Sequence, residues 1–95
     1  MANDGSLMAE RSVRIKNRNG LHARPAAEIV KLAAKYESDI TLSREGLEVN
    51  GKSIMGVMML AAECGSELLL RASGPDAPQA VGAIADLISS KFGEH

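Results

Sequence analysis

The chain has 95 residues, 45% hydrophobic and 24% charged, with 11 basic and 12 acidic side chains and a formal net charge of −1. This size predicts one domain, and a near-neutral balance with no basic run excludes the electrostatic footprint of a nucleic-acid binder. No stretch has the apolar length of a bilayer span or the h-region of a signal peptide, which predicts a cytoplasmic protein with no membrane insertion.

Residues 1–11 are small and polar without periodicity, and they read as a flexible tail before a domain at 12–95; a second methionine, Met8, offers an alternative start. Residues 12–17 alternate, with Val13 and Ile15 on one face and Arg14 and Lys16 on the other, which predicts a half-buried strand. Turn residues at 17–20 lead into a helix over 25–36, with its apolar stripe at Ala26, Ile29, Val30, Ala33 and Tyr36. Residues 40–43 and 47–49 alternate around Glu45 and Gly46, a hairpin pattern.

A short apolar helix is predicted over 53–62, with Ser53 as N-cap. Ile54, Val57 and Ala61 could turn inward there, whereas Met55, Met58 and Met59 are too many to bury in so short an element. Cys64 follows in a turn and has no cysteine partner, so neither a disulfide framework nor a cysteine-based zinc site is expected. A strand is predicted over 67–73. Asp76 and Gln79 then fit a capping box for a final helix whose stripe runs through Ala77, Ala80, Val81, Ile84, Leu87, Ile88 and Phe92. The order βαββαβα, with one apolar stripe per helix, predicts an α+β two-layer sandwich. Tyr36 and Phe92 are the only aromatic residues, so its core must be aliphatic.

The segment from Asn19 to Ala27, Asn-Gly-Leu-His-Ala-Arg-Pro-Ala-Ala, is selected for more than packing. Pro25 marks the first turn of a helix, where a missing N–H leaves no bond unmade. His22 therefore stands at a helix N-terminus, where free amides and the positive dipole end attract anions. Arg24 adds a guanidinium able to hydrogen-bond two phosphate oxygens. Phosphoryl transfer proceeds largely by positioning and charge stabilisation, so these parts suit a histidine that accepts a phosphoryl group and hands it on. No acidic cluster for magnesium accompanies them, which points to a carrier without cofactor or metal rather than to an independent enzyme.

Gly20-Leu21-His22-Ala23-Arg24-Pro25-Ala26 resembles the active-site signature of the HPr family, the histidine-containing phosphocarriers of the bacterial phosphotransferase system. Residues 50–58, Asn-Gly-Lys-Ser-Ile-Met-Gly-Val-Met, resemble that family's region around its regulatory serine. The resemblance implies an open-faced sandwich with an antiparallel four-stranded sheet in order 1-4-2-3 and three helices on one face. It implies that enzyme I phosphorylates His22 on Nδ1, with Arg24 stabilising charge, and that the group passes to an enzyme II A domain. Asn19 matches a position that caps or contacts the site in relatives, beside Ala23 and Pro25 at the helix start. Ser53 matches a serine that a dedicated kinase and phosphorylase modify in one branch. Ile54, Met55 and Met58 would form the docking patch of a monomer, since methionine-rich surface adapts to several partners. A sugar-transport branch and a nitrogen-related regulatory branch both fit this resemblance. A small phosphatase using His22 and Arg24, and a purely regulatory binding module, are the readings from other classes.

Overall fold

A computed structural model describes residues 7–94 of the chain. In chain order these form β1 (Leu7–Arg14), α1 (Ala23–Ala33), β2 (Asp39–Arg44), β3 (Leu47–Asn50), α2 (Ile54–Met59), β4 (Glu67–Gly74), α3 (Ala77–Ser89) and a short 3-10 turn (Lys91–Gly93). The strands make one antiparallel sheet in the order β1-β4-β2-β3. Alternation fixes its two faces. Leu68, Leu70 and Ala72 of β4 and Ile40 and Leu42 of β2 are buried, as side chains at every second position of a half-covered strand must be. They pack against Ile29 of α1, Val57 of α2, and Ile84 and Ile88 of α3. The opposite face carries ion pairs from Arg71 to Glu10 and Glu48, and from Arg14 to Glu67. The expected α+β open-faced sandwich with three helices is the observed architecture.

Several boundaries differ from those the sequence predicts, each for a physical reason. β1 begins at Leu7, so five residues of the expected tail belong to the sheet; residues 1–6 and His95 lie outside the described residues. Leu7 pairs with Gly74 and the register continues to Arg14 with Glu67. This is an edge strand held by backbone bonds, with Met8, Glu10, Ser12 and Arg14 on the uncovered face, so apolar alternation is not required of it. The expected extension to residue 17 leaves the sheet after Arg14, although Ile15 and Asn17 stay buried. α1 starts at Ala23, two residues before Pro25, and closes before Tyr36.

α2 stops at Met59, and Ala61 takes a left-handed conformation (φ 49°). Only Val57 of the three residues expected to face inward does so: Ile54 and Ala61 are exposed, and Leu60 is buried instead. Phe92 does reach the core, but from the 3-10 turn with φ 55° rather than from a continuous helix.

The capping box at Asp76 does not form. Its carboxylate instead crosses to the residues just before β2, accepting from the Ser38 hydroxyl (2.6 Å), the Ser38 amide (3.0 Å) and the Glu37 amide (2.9 Å). The Ser38 hydroxyl, then the backbone bond from Glu37, holds the Asp76 carboxyl below its ordinary value of 3.8. Ser38 is buried against Gly74, where a Cβ would lie 2.6 Å from Ser38 Cα.

Candidate functional site

His22 lies on the loop between β1 and α1, and local chemistry dictates its position. Gly20 has φ 68°, and a side chain there would meet the carbonyl oxygen of Ala62, so the turn accepts only glycine without strain. Leu21 donates its amide to Ala62 O (2.9 Å), tying the loop to the residues that follow α2. His22 has extended backbone (φ −78°, ψ −174°) and is the N-cap of α1, but its side chain makes no cap bond. Its carbonyl accepts from Ala26 N (3.0 Å). Among the described residues the amides of Ala23 and Arg24 have no acceptor, and Pro25 has no N–H to offer. An imidazole that is 41% exposed thus stands beside two free donors at the positive end of a helix.

Among the described residues the ring has one hydrogen-bond partner. Nε2 lies 3.2 Å from Glu94 Oε2, just beyond the 3-10 turn. An ionised carboxylate can only accept, so the contact is a hydrogen bond when Nε2 carries the proton, and in that neutral tautomer Nδ1 presents its lone pair. The other oxygen of Glu94, Oε1, accepts from Asn17 Nδ2 (3.2 Å), which also donates to Gly20 O (2.8 Å). Asn17 is fully buried.

The remaining sequence-predicted residues distribute unevenly. Arg24 is 68% exposed and pairs with Glu28 one turn along (3.9 Å), with no side-chain hydrogen bond to His22 among the described residues. Asn19 is exposed and makes no side-chain hydrogen bond among the described residues, whereas Asn17, two residues earlier, donates to Gly20 O and to Glu94. Ser53 caps α2, accepting from Gly56 N (3.1 Å), as expected. Ile54, Met55, Met58 and Met59 are all exposed, with Met55 at 78%. Cys64 is exposed, its thiol 3.7 Å from Lys16 O.

Sequence reasoning missed Asn17 and Glu94. Asn17 carried a signal, since it continues the inward positions Val13 and Ile15 and is polar where a core residue belongs. Glu94 carried none, because only the reversal at Lys91 and Phe92 (φ 60° and 55°) returns the chain end to His22.

A part-exposed imidazole at a helix N-terminus, on an open-faced α+β sandwich, stands where free amides and the positive dipole end attract an anionic group. Residues 9–90 match the family model described as "PTS HPr component phosphorylation site". The phosphocarrier protein HPr of Treponema pallidum is 53% identical over 87 residues, covering 92% of this chain and 99% of that protein. HPr of Cupriavidus necator is 47% identical, covering 92% and 98%. The crystal structure of HPr-C-His from Thermoanaerobacter tengcongensis superposes with a TM-score of 0.88 at 47% identity, covering 92% of this chain and 98% of that one. The chain belongs to the HPr family, the phosphocarriers of the phosphotransferase system. No helix among the described residues is long and apolar enough to cross a membrane.

Proposed function

We propose that this phosphocarrier accepts its phosphoryl group on Nδ1 of His22 from enzyme I and passes it to an enzyme II A domain. The observation that carries this reading is the His22–Glu94 bond: with the proton held on Nε2, Nδ1 is the free nucleophile. In the forward step the Nδ1 lone pair attacks phosphorus, the donor's bond to phosphorus breaks, and the Nε2 proton stays in place. The amides of Ala23 and Arg24 hydrogen-bond the incoming oxygens, and a swing of the exposed Arg24 chain away from Glu28 brings its guanidinium to the same oxygens. Charge stabilisation by groups already in place is the main contribution such a site can make. The reverse reaction with an acceptor returns the group by the same path, so the protein is a stoichiometric carrier rather than a stand-alone enzyme.

Docking falls to the surface formed by Ile54, Met55 and Met58, with Met59 extending it. The Leu21–Ala62 bond ties the His22 loop to the residues that follow α2, which supports a partner that covers the methionines and meets the imidazole together. Phosphorylation of Ser53 by a serine kinase would set about two negative charges next to that apolar surface and weaken docking by repulsion and desolvation. The carrier works as a monomer in the cytoplasm.

The test is incubation with phosphoenolpyruvate and enzyme I, followed by mapping of the modified residue by mass spectrometry. The expected result is one acid-labile phosphoryl group on His22 and none in His22→Ala, which retains its fold because the side chain makes no cap bond. Acid-labile label on the His22→Ala protein would refute the reading.

A further inference from the structure

Four hydrogen bonds close a ring that begins at the backbone of His22 and ends at its own imidazole. His22 N donates to Gly20 O (3.0 Å), the same carbonyl accepts from Asn17 Nδ2 (2.8 Å), Asn17 Nδ2 donates to Glu94 Oε1 (3.2 Å), and Glu94 Oε2 accepts from His22 Nε2 (3.2 Å). One amide nitrogen spends both of its protons in this ring. Both neighbours are acceptors, so the orientation of the Asn17 amide is fixed by its surroundings.

Asn17 is a poor choice for packing. It is fully buried, yet its Oδ1 has no donor among the described residues. A buried carbonyl without a donor destabilises a fold, and an apolar residue at this position would avoid the loss. What the asparagine supplies is found where its two protons go: one to the turn that presents His22, the other to the carboxylate that holds the ring.

We propose that Asn17 is a positioning residue for phosphoryl transfer, acting on His22 through Glu94. This rests on His22 being the phosphoryl acceptor. As Nδ1 forms its bond to phosphorus and the donor's bond breaks, the ring gains positive charge while the proton remains on Nε2. A carboxylate fixed at Nε2 selects the reactive tautomer beforehand and stabilises the cationic ring afterwards, the two services that the aspartate of a Ser-His-Asp triad gives its histidine. Glu94 stands beyond a turn of only three residues, and the bond from Asn17 holds its second oxygen. Without Asn17 the carboxylate rotates away, the two neutral tautomers mix, and Nδ1 carries a proton for part of the time.

The experiment combines nitrogen-15 NMR of the His22 ring with rapid-mixing kinetics of transfer from phosphorylated enzyme I, for wild type, Asn17→Ala, Glu94→Ala and the double variant. Wild type should show the Nε2-protonated form. Each single variant should show a mixture and transfer about 10-fold more slowly, with KM for enzyme I unchanged. The double variant should also be about 10-fold slow, because residues acting in series do not add. An Asn17→Ala protein with wild-type tautomer and rate overturns the proposal, as does a double variant about 100-fold slow. Should Asn17→Ala fail to fold, Glu94→Ala decides alone, and an unchanged ring there refutes the relay. The ring spectrum is read without any phosphoryl donor, so its outcome is independent of whether His22 is the residue labelled.

Discussion

Two carboxylates cross the molecule to distant segments, and they are built differently. Asp76 reaches Ser38 and Glu37 and receives three donors at 2.6–3.0 Å. Glu94 reaches His22 and Asn17 and receives two donors, both at 3.2 Å. Asp76 joins the residues just before β2 to the start of α3, away from His22, and its charge is saturated by hydrogen bonds. Glu94 joins the chain end to an imidazole whose other nitrogen stays open. The carboxylate that ties two loops of the fold is satisfied by three donors, whereas the one beside His22 has two longer bonds and, on the proposed function, leaves its partner free to react.

The largest effect on the reactive end should come from Gly20→Ala. A left-handed conformation costs an alanine about 1–2 kcal/mol, and its Cβ would also press on the Ala62 carbonyl. A loss of at least about 2 kcal/mol in urea unfolding, together with impaired transfer, is expected. Wild-type stability would show that the loop is not tied to α2 as described.

At the other end, Asp76→Asn should destabilise the fold while leaving transfer from enzyme I unaltered. The pH dependence follows from the sign of the shift. The folded protein holds the Asp76 carboxyl below 3.8, so its contribution is fully present above that value and is lost as pH falls through the lower, folded-state value. The stability gap between wild type and Asp76→Asn should therefore be widest near neutrality and close below about pH 4, in thermal melts across pH. A gap that does not depend on pH would mean that the charge of Asp76 plays no part.

Arg24→Ala should have the smallest effect on stability, under about 0.5 kcal/mol, because its ion pair with Glu28 is exposed. It should nevertheless slow transfer from enzyme I, and an unchanged rate would remove Arg24 from the site.

The same contrast explains how much of the molecule is legible in its sequence. The strands and the helices are legible because Leu68, Leu70, Ile40 and Leu42 alternate and because Ala80, Ile84 and Ile88 recur at helical spacing, whereas the order of the sheet follows only from the resemblance to the HPr family. His22, the helix start and the Ser53 cap are legible because each depends on immediate neighbours. Asp76 misleads, since a cap pattern is local whereas Ser38 lies 38 residues away and takes the carboxylate in competition. Glu94 escapes notice for the same reason, being 77 residues from Asn17 and joined to it only by the fold, although Asn17 itself stands out as a polar residue in an inward position. The edge strand extends further than expected because backbone pairing with β4 needs no apolar pattern.

The most direct test of Nδ1 as the acceptor is nitrogen–phosphorus correlation NMR on the ring-labelled protein after phosphorylation by enzyme I. A phosphorus signal coupled to Nδ1 of His22, with Nε2 still protonated, is the predicted result. Phosphorus on Nε2, or on any residue other than His22, would contradict it.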